Sequence, residues 1–382
     1  MSYDARSQLL SEDQIALQMM VREFVQKEVI PNAAQFDVDG SYSQDILQKA
    51  MEMGLHLMEI PEKYGGMGLD HLTELVLREE LGYGDAGFAV TVGGNGLGYT
   101  PLAIAGTEEQ IKHFADVVTQ GAVSAFALTE AGGGSDVASN RTTAVKVGDE
   151  YIINGTKTFI TNGDIAQIYT VIASTDKEQR TKGMSAFMVD RDTPGITVGA
   201  HENKMGIRTS HTVEMSFEDV KVPAKNLIGR EGDGFKIAMM TLDRTRPSGV
   251  SAAVGIMQRA IDECIKYSKE RVVFGKPICK HQAVAFMIAD MEIKCQASRQ
   301  MVRHCATLMD NGIYDSVAGS IAKTFASDCA VQVATDAVQV LGGYGYSKEY
   351  PVEKLMRDAK IYQIFEGTNQ IQRIVISNNL LK

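Results

Sequence analysis

The apolar positions of this chain follow a helical period at first, lose it in the middle and regain it in the last third. "SEDQIALQMMVREFVQKEVIP" carries Ile15, Leu17, Met20, Val21, Phe24, Val25 and Val29 at helical intervals. It opens with Ser11 and Gln14 in capping-box spacing, and the pattern predicts a helix that stops before Pro31. "SQDILQKAMEMG" and "TELVLREELG" each begin with a hydroxyl residue and end at a glycine, and "TEEQIKHFADVVTQG" repeats the capping box at Thr107 and Gln110. Around Gly121 the period shortens. "EYIINGTKTFIT" sets Asn154-Gly155 between two β-rich runs, which predicts a hairpin there. "IYTVIAST", "MSAFMVDRD", "GITVGA" and "HTVEMSFEDVKVP" continue as short strands of a mostly antiparallel unit. From "GDGFKIAMMTLDRTR" onward long helical segments return, apolar on more than one face, as in a bundle or a subunit interface. The expected organisation is α+β: a helical domain over 1–121, a β domain over 122–230 and a helical domain over 231–382.

Composition narrows the classes. With 382 residues, 44% apolar and 23% charged, the chain is long enough for two or three core-bearing units. No run of about 18 apolar residues occurs, so no membrane span is expected. The start, "MSYDARSQLL", lacks the basic-then-apolar pattern of a signal peptide, and the expected compartment is the cytoplasm. A net charge of −10 argues against a general nucleic-acid binder. An anionic substrate would need a local basic patch. Cys264, Cys279, Cys295, Cys305 and Cys329 show no CxxC spacing, so neither a zinc site nor a disulfide framework is expected; Cys295 and Cys305 read as small core residues. The seven histidines form no HExxH or other ligand spacing, and no metal is expected.

Four stretches hold candidate chemistry. "FALTEAGGGSD" (126–136) is glycine-rich, yet the following "VASNRTTAVKVGDEY" reads as strand, so the dinucleotide fingerprint does not fit. It is either a cluster of turns or a loop that offers amides and hydroxyls, such as those of Thr129 and Ser135, to a cofactor on a β surface. "TLDRTRPSG" supplies Asp243, Arg244 and Arg246, which suit either a solvated helix face or an anionic phosphate. "QVLGGYGYSKEYP" ends a helix at Gly342-Gly343. "IFEGTNQIQR" sets Glu366 behind Ile364 and Phe365 and ahead of a turn. A glutamate there is either a surface residue or a desolvated base with a raised pKa.

Taken together and in this order, the stretches resemble the acyl-CoA dehydrogenase family over nearly the whole chain. "LTEAGGGSD" is similar to the family's LTEPxAGSD signature, with Ala131 in place of proline. "RVVFGKPICKHQ" is similar to its RxxFGxxxxxxQ pattern, and "QVLGGYGYSKEYPVEKLMRDAKIYQIFEGTNQIQ" to its C-terminal signature. The resemblance implies an N-terminal helical domain, a central antiparallel β domain and a C-terminal four-helix bundle, assembled as a homotetramer. It implies FAD-dependent α,β-dehydrogenation of an acyl-CoA, with electrons passed to an electron-transfer flavoprotein. The runner-up is an enoyl-CoA reductase working in reverse. A rival from another class is a non-catalytic CoA-binding helical protein.

The resemblance also implies roles for particular residues. Glu366 is the base that removes the α-proton, while flavin N5 takes the β-hydride. The backbone N–H of Glu366 and a ribityl hydroxyl would stabilise the developing enolate. Phe126, Ala127, Leu128, Thr129, Gly134 and Ser135 line the flavin, with Ser135 also near the CoA. Phe159, Ile160 and Thr161 flank the isoalloxazine; medium-chain members usually carry Trp where Phe159 stands, and this chain has no Trp. Thr368, Gln370, Gln339 and Gly343 contact FAD. Arg271, Phe274 and Gln282 reach a neighbouring subunit's FAD. Asp243 and Arg246 are substrate contacts around the CoA, and Gly367 lets backbone approach the thioester. The acyl tail runs past "AVTVGGNGLGYTP", where Gly93 and Gly94 leave room.

Overall fold

The computed structural model describes residues 9–382; most of the N-terminal stretch considered for a leader lies outside the described residues. Helix α1 (Glu12–Phe24) starts as its sequence dictates, with Ser11 Oγ accepting from the Gln14 N–H at 3.2 Å and Gln14 Oε1 accepting from the Ser11 N–H at 3.0 Å. It stops before Pro31, as its sequence predicts. The chain winds on through a wide turn (Val25–Val29) and a tight one (Ile30–Asn32) into α2 (Ala33–Asp39). Pro31 sits early in that tight turn, where a missing N–H costs little. Helix α3 spans Gln44–Glu52. Helix α4 (His71–Gly84) begins ahead of Thr73 because Asp70 is its cap, accepting from the Thr73 N–H at 2.6 Å. Helices α5 (Ala86–Val92), α6 (Gly94–Ala105) and α7 (Glu108–Val118) follow, and α7 carries the expected capping box at Thr107 and Gln110.

The middle of the chain forms an eight-stranded sheet. Its strands are β1 (Ser124–Ala127), β2 (Thr143–Val147), β3 (Glu150–Thr161), β4 (Ile168–Ser174), β5 (Met184–Asp190), β6 (Ile196–His201), β7 (Thr212–Pro223) and β8 (Leu227–Ile228). The order is β6-β7-β3-β2-β4-β5-β8, antiparallel except where β4 meets β1 and touches β2. The hairpin expected at Asn154-Gly155 is absent: β3 runs straight through as one strand, and the turn lies at Gly148-Asp149. Gly155 instead marks a register shift against β7, with φ +150 and a Cβ position only 2.5 Å from Thr142 Oγ1. A glycine between β-rich runs serves a bulge as well as a turn.

The last third comprises α8 (Gly234–Glu270), α9 (Gln282–Asp310), α10 (Ser316–Leu341), α11 (Val352–Ala359) and α12 (Asn369–Leu380). Helix α8 packs against α4, α9 and α10, which explains apolar positions on several faces. Buried Arg299 of α9 donates to Glu79 of α4 from Nε at 3.0 Å and from Nη2 at 2.9 Å, joining the two helical regions. Breaking one partner of such a pair costs about 3–5 kcal/mol. All five cysteines are free, and all but Cys279 are buried. Among the described residues no helix is long and apolar enough to cross a membrane. Although histidine spacing suggested no cluster, the fold brings Asp164, His201 and His211 together. Asp164 Oδ2 lies 2.6 Å from His211 Nδ1 and 2.9 Å from His201 Nε2, hydrogen-bond geometry that fastens the chain after β3 to β6 and to the start of β7.

Candidate active site

The short helical turn Lys360–Gln363 is followed, two residues after Ile364, by Glu366 and Gly367, which have φ +53 and +87. Two successive left-handed residues reverse the chain, and Thr368 then caps α12 by accepting from the Ile371 N–H at 3.3 Å. A left-handed glutamate costs about 1–2 kcal/mol, so neighbours must hold it. They do. The Glu366 carbonyl accepts from Gln372 Nε2 at 3.2 Å and Arg246 Nε at 3.4 Å, and the Gly367 carbonyl accepts from Lys323 Nζ at 2.8 Å.

This reversal drives the Glu366 side chain inward. Its carboxylate lies against Gly249 of α8, where a Cβ would stand 2.7 Å from Oε1 and 3.0 Å from Oε2. Oε2 is buried with no hydrogen-bond partner among the described residues. Burial pushes the carboxyl up to about 7, against the opposing pull of Lys323, Arg246 and Arg78. Of the two readings open from sequence, the structure therefore favours a desolvated acid over a surface glutamate. Lys323 is itself lowered to about 8 by burial, and Asp243 is raised by burial although Arg246 opposes it. Arg246 is buried and bonds Asp243 as well as the Glu366 carbonyl, so it stands beside the carboxylate rather than on a solvated helix face.

The glycine-rich run is a built loop. Glu130 accepts from the backbone N–H of Arg141 at 2.6 Å and of Thr142 at 3.0 Å, and from buried Lys157 Nζ at 2.8 Å. Lys157 also donates to the Leu128 carbonyl at 3.1 Å, and the Thr158 N–H donates to Thr129 at 2.9 Å. These bonds bring 126–135 beside 159–161. Ala127, Leu128 and Ile160 are buried, so they offer only backbone, whereas Phe126, Thr129 and Thr161 are half-buried and Ser135 is exposed. Phe159 has φ +56 and presents its ring with 62% exposure, and a Cβ at Gly132 or Gly134 would meet nothing within 4 Å. An exposed aromatic ring beside a loop of unfilled glycines fits a flat, phosphate-bearing cofactor.

Arg271, Phe274 and Gly343 gather elsewhere, around a cavity of about 710 Å³ shared with Tyr267 and Tyr344. The Arg271 guanidinium lies over the Tyr344 ring at 5.8 Å, and Phe274 is 92% exposed. Gln282 and Gln339 are exposed, as is Gln370. The length of α8 between Gly249 and Arg271 is roughly 30 Å at about 1.5 Å per residue. Arg271 and Phe274 therefore stand at the far end of α8 from the Glu366 seat. Sequence reasoning missed Gly249, Lys323, Gln372 and the Glu130–Lys157 pair. Only Lys323 left a signal, as a lone lysine on a helix face whose other buried residues include Gly319, Ala322 and Ala326.

Three family models match the chain: acyl-CoA dehydrogenase N-terminal domain over residues 11–122, middle domain over 125–220 and C-terminal domain over 232–381. Fold and site thus define an oxidoreductase of the helical–β–helical flavoprotein class. The chain belongs to the acyl-CoA dehydrogenase family. It is 44% identical to the short-chain-specific acyl-CoA dehydrogenase of Megasphaera elsdenii, over 95% of this chain and 96% of that one. The solved butyryl-CoA dehydrogenase from Megasphaera elsdenii superposes with a TM-score of 0.95, at 42% identity and with 100% of both chains covered. A chain from a structural study of the electron transferring flavoprotein of Acidaminococcus fermentans and flavin-based electron bifurcation matches at TM-score 0.95 and 46% identity, again over 100% of both chains.

Proposed function

We propose that this protein catalyses FAD-dependent α,β-dehydrogenation of an acyl-CoA thioester to the trans-2-enoyl-CoA, with Glu366 as the base. The observation that carries this reading is the buried carboxylate oxygen of Glu366, which has no partner of its own and a pKa of about 7. A thioester α-proton is a very weak acid, and a desolvated carboxylate with a raised pKa is a far better match for it than one in water. The left-handed backbone at Glu366 and Gly367 supports a role for the Glu366 N–H as a donor to the developing enolate oxygen. FAD, when bound, supplies the acceptor for the β-hydride. Phe126–Thr129, Gly134, Ser135 and Phe159–Thr161 would hold it, joined by Thr368 and Gln370. Asp243 and Ser135 would meet the CoA portion. Near neutral pH both protonation states of Glu366 coexist, so the same site serves enoyl-CoA reduction when the acceptor's potential demands it. The similarity to a chain from the electron transferring flavoprotein study supports such a flavoprotein as redox partner. Unpaired cysteines suit a reducing compartment such as the cytoplasm. The test is anaerobic addition of short and medium acyl-CoA thioesters to purified yellow protein. Bleaching of the flavin band by at least one of them is expected. A colourless preparation that cannot be reconstituted with FAD would favour the binding-protein alternative.

The distant group around Arg271 supports a homotetramer in which each subunit completes its neighbour's FAD site. Arg271→Ala is then expected to lower flavin occupancy and weaken the oligomer together. Absorbance at the flavin band and size measured by light scattering check this. Full occupancy at native size would remove the intersubunit role.

A further inference from the structure

Glu366 is not the only buried charge on this side of α8. Arg78 of α4 donates from Nε to Glu74 at 2.6 Å and from Nη2 to Glu59 at 2.5 Å, and both terminal nitrogens reach the Gly93 carbonyl at 3.3–3.4 Å. The cluster occupies space that glycines leave free. A Cβ on Gly93 would collide with Arg78 Nη1 at 1.9 Å, and one on Gly96 with the Glu59 carboxylate at 2.3–2.5 Å. Gly93 therefore does not leave an empty extension for a hydrocarbon tail; a guanidinium fills it.

The cluster adjoins the reacting carboxylate. Ser248, which helps hold down the Glu74 pKa, precedes Gly249, whose missing side chain seats Glu366, and Arg78 acts electrostatically on Glu366. Ser248 and Gly249 are consecutive in α8, so the cluster and the seat of Glu366 meet the same turn of that helix.

Its charges are nearly closed on themselves. Burial pushes Glu59 up to about 8, with the Glu74 charge adding to it. Burial also works against the Glu74 charge, but Arg78 and hydrogen bonds bring that carboxyl down to about 2. The Arg78 guanidinium is thus held between two carboxyl groups, and His71 Nδ1 stands 3.6 Å from Glu74 Oε2. A second anion brought here would meet two carboxyl groups, whereas a hydrocarbon end would desolvate the cluster and return nothing. One N–H of Arg78 Nη1 has no acceptor among the described residues, and the Glu59 side chain keeps 19% of its surface open.

We propose that Arg78, with Glu59 and Glu74, forms the far wall of the acyl site and selects a short acyl chain ending in an uncharged oxygen acceptor, such as a ketone, that hydrogen-bonds Arg78. This rests on the dehydrogenase reading above and names its substrate class. A site built to hydrogen-bond a group discriminates strongly against the analogue lacking it, because its own polar atoms are then left unpaired.

Length-matched pairs test it: 4-oxopentanoyl-CoA against 4-methylpentanoyl-CoA, and 5-oxohexanoyl-CoA against 5-methylhexanoyl-CoA. Two readouts are taken, the flavin bleaching rate with the parent enzyme and the dissociation constant by calorimetry with Glu366→Gln protein. At least one ketone is expected to exceed its methyl partner by about tenfold or more in both, and to bind more tightly than glutaryl-CoA. Arg78→Met should erase or invert the preference. Should that variant not fold, Glu59→Leu, which keeps the Arg78–Glu74 pair, should narrow it. Equal or better binding of the methyl thioesters, tighter binding of glutaryl-CoA, or a ratio unmoved in the folded variant overturns the proposal. Absence of bleaching by every thioester counts against the dehydrogenase reading, while the ratio of dissociation constants still judges this one.

Discussion

Glu366→Gln is expected to keep bound flavin and bound acyl-CoA while the bleaching rate and α-proton exchange into deuterated solvent fall together. A positioned general base contributes about 10²–10⁴-fold, and the buried Oε2, which has no partner among the described residues, leaves no neighbouring group placed to substitute for it. Glutamine fills the same seat over Gly249 and leaves the carbonyl bonds from Arg246 and Gln372 in place, so the loss reports the base and not the fold. The parent enzyme's bleaching rate should rise with pH through about 7, since only the ionised carboxyl can accept the proton. Stability runs the other way. The folded pKa lies above the ordinary glutamate value of 4.5, so the unfolded chain gives up this proton first, and the stabilising contribution is lost as pH rises from about 4.5 to about 7. Glu366→Gln should flatten both dependences. Bleaching and exchange near the parent rate in the variant would place the base on another residue.

Gly249→Ala should lower the bleaching rate by about 10²-fold with flavin retained. The added Cβ would stand 2.7 Å from Glu366 Oε1, too close to remain, and a displacement of about 1 Å at a reacting group costs that much. Gly249 lies inside α8, where alanine is favoured over glycine by about 1 kcal/mol, so the helix itself should not suffer. The comparison is made by stopped-flow absorbance alongside thermal unfolding. A normal rate in a folded variant would show that the carboxylate does not depend on this seat.

Several features were legible because they are written locally. The capping boxes at Ser11–Gln14 and Thr107–Gln110, the helix stop at Gly342 and the change from helical to β period all appear where the sequence puts them. Misreadings arose where one local pattern serves two structures. Asn154-Gly155 suits a two-residue turn and a bulge equally, and only pairing of β3 with β7 along its length chose the bulge. At Pro31 the expectation held, since α1 ends at Phe24, and a wide turn and then a tight one carry the chain on into α2.

The candidate site divides along the same line. The stretch around Glu366, read with its family motif, fixed which residue is the candidate base, because a short segment specifies an acid, a turn and a cap. What makes that acid unusual was decided by the tertiary structure. Its pKa comes from desolvation and from Lys323, Arg246 and Arg78, which lie 43, 120 and 288 positions away in the chain. The seat at Gly249 follows from how the Glu366 turn packs on α8, and the guanidinium in the space of Gly93 from how α4 packs against the turn between α5 and α6. Hydrophobic period and capping chemistry act over a few residues and can be read along the chain. Burial and electrostatics sum over neighbours in space, and they exist only once the chain has folded.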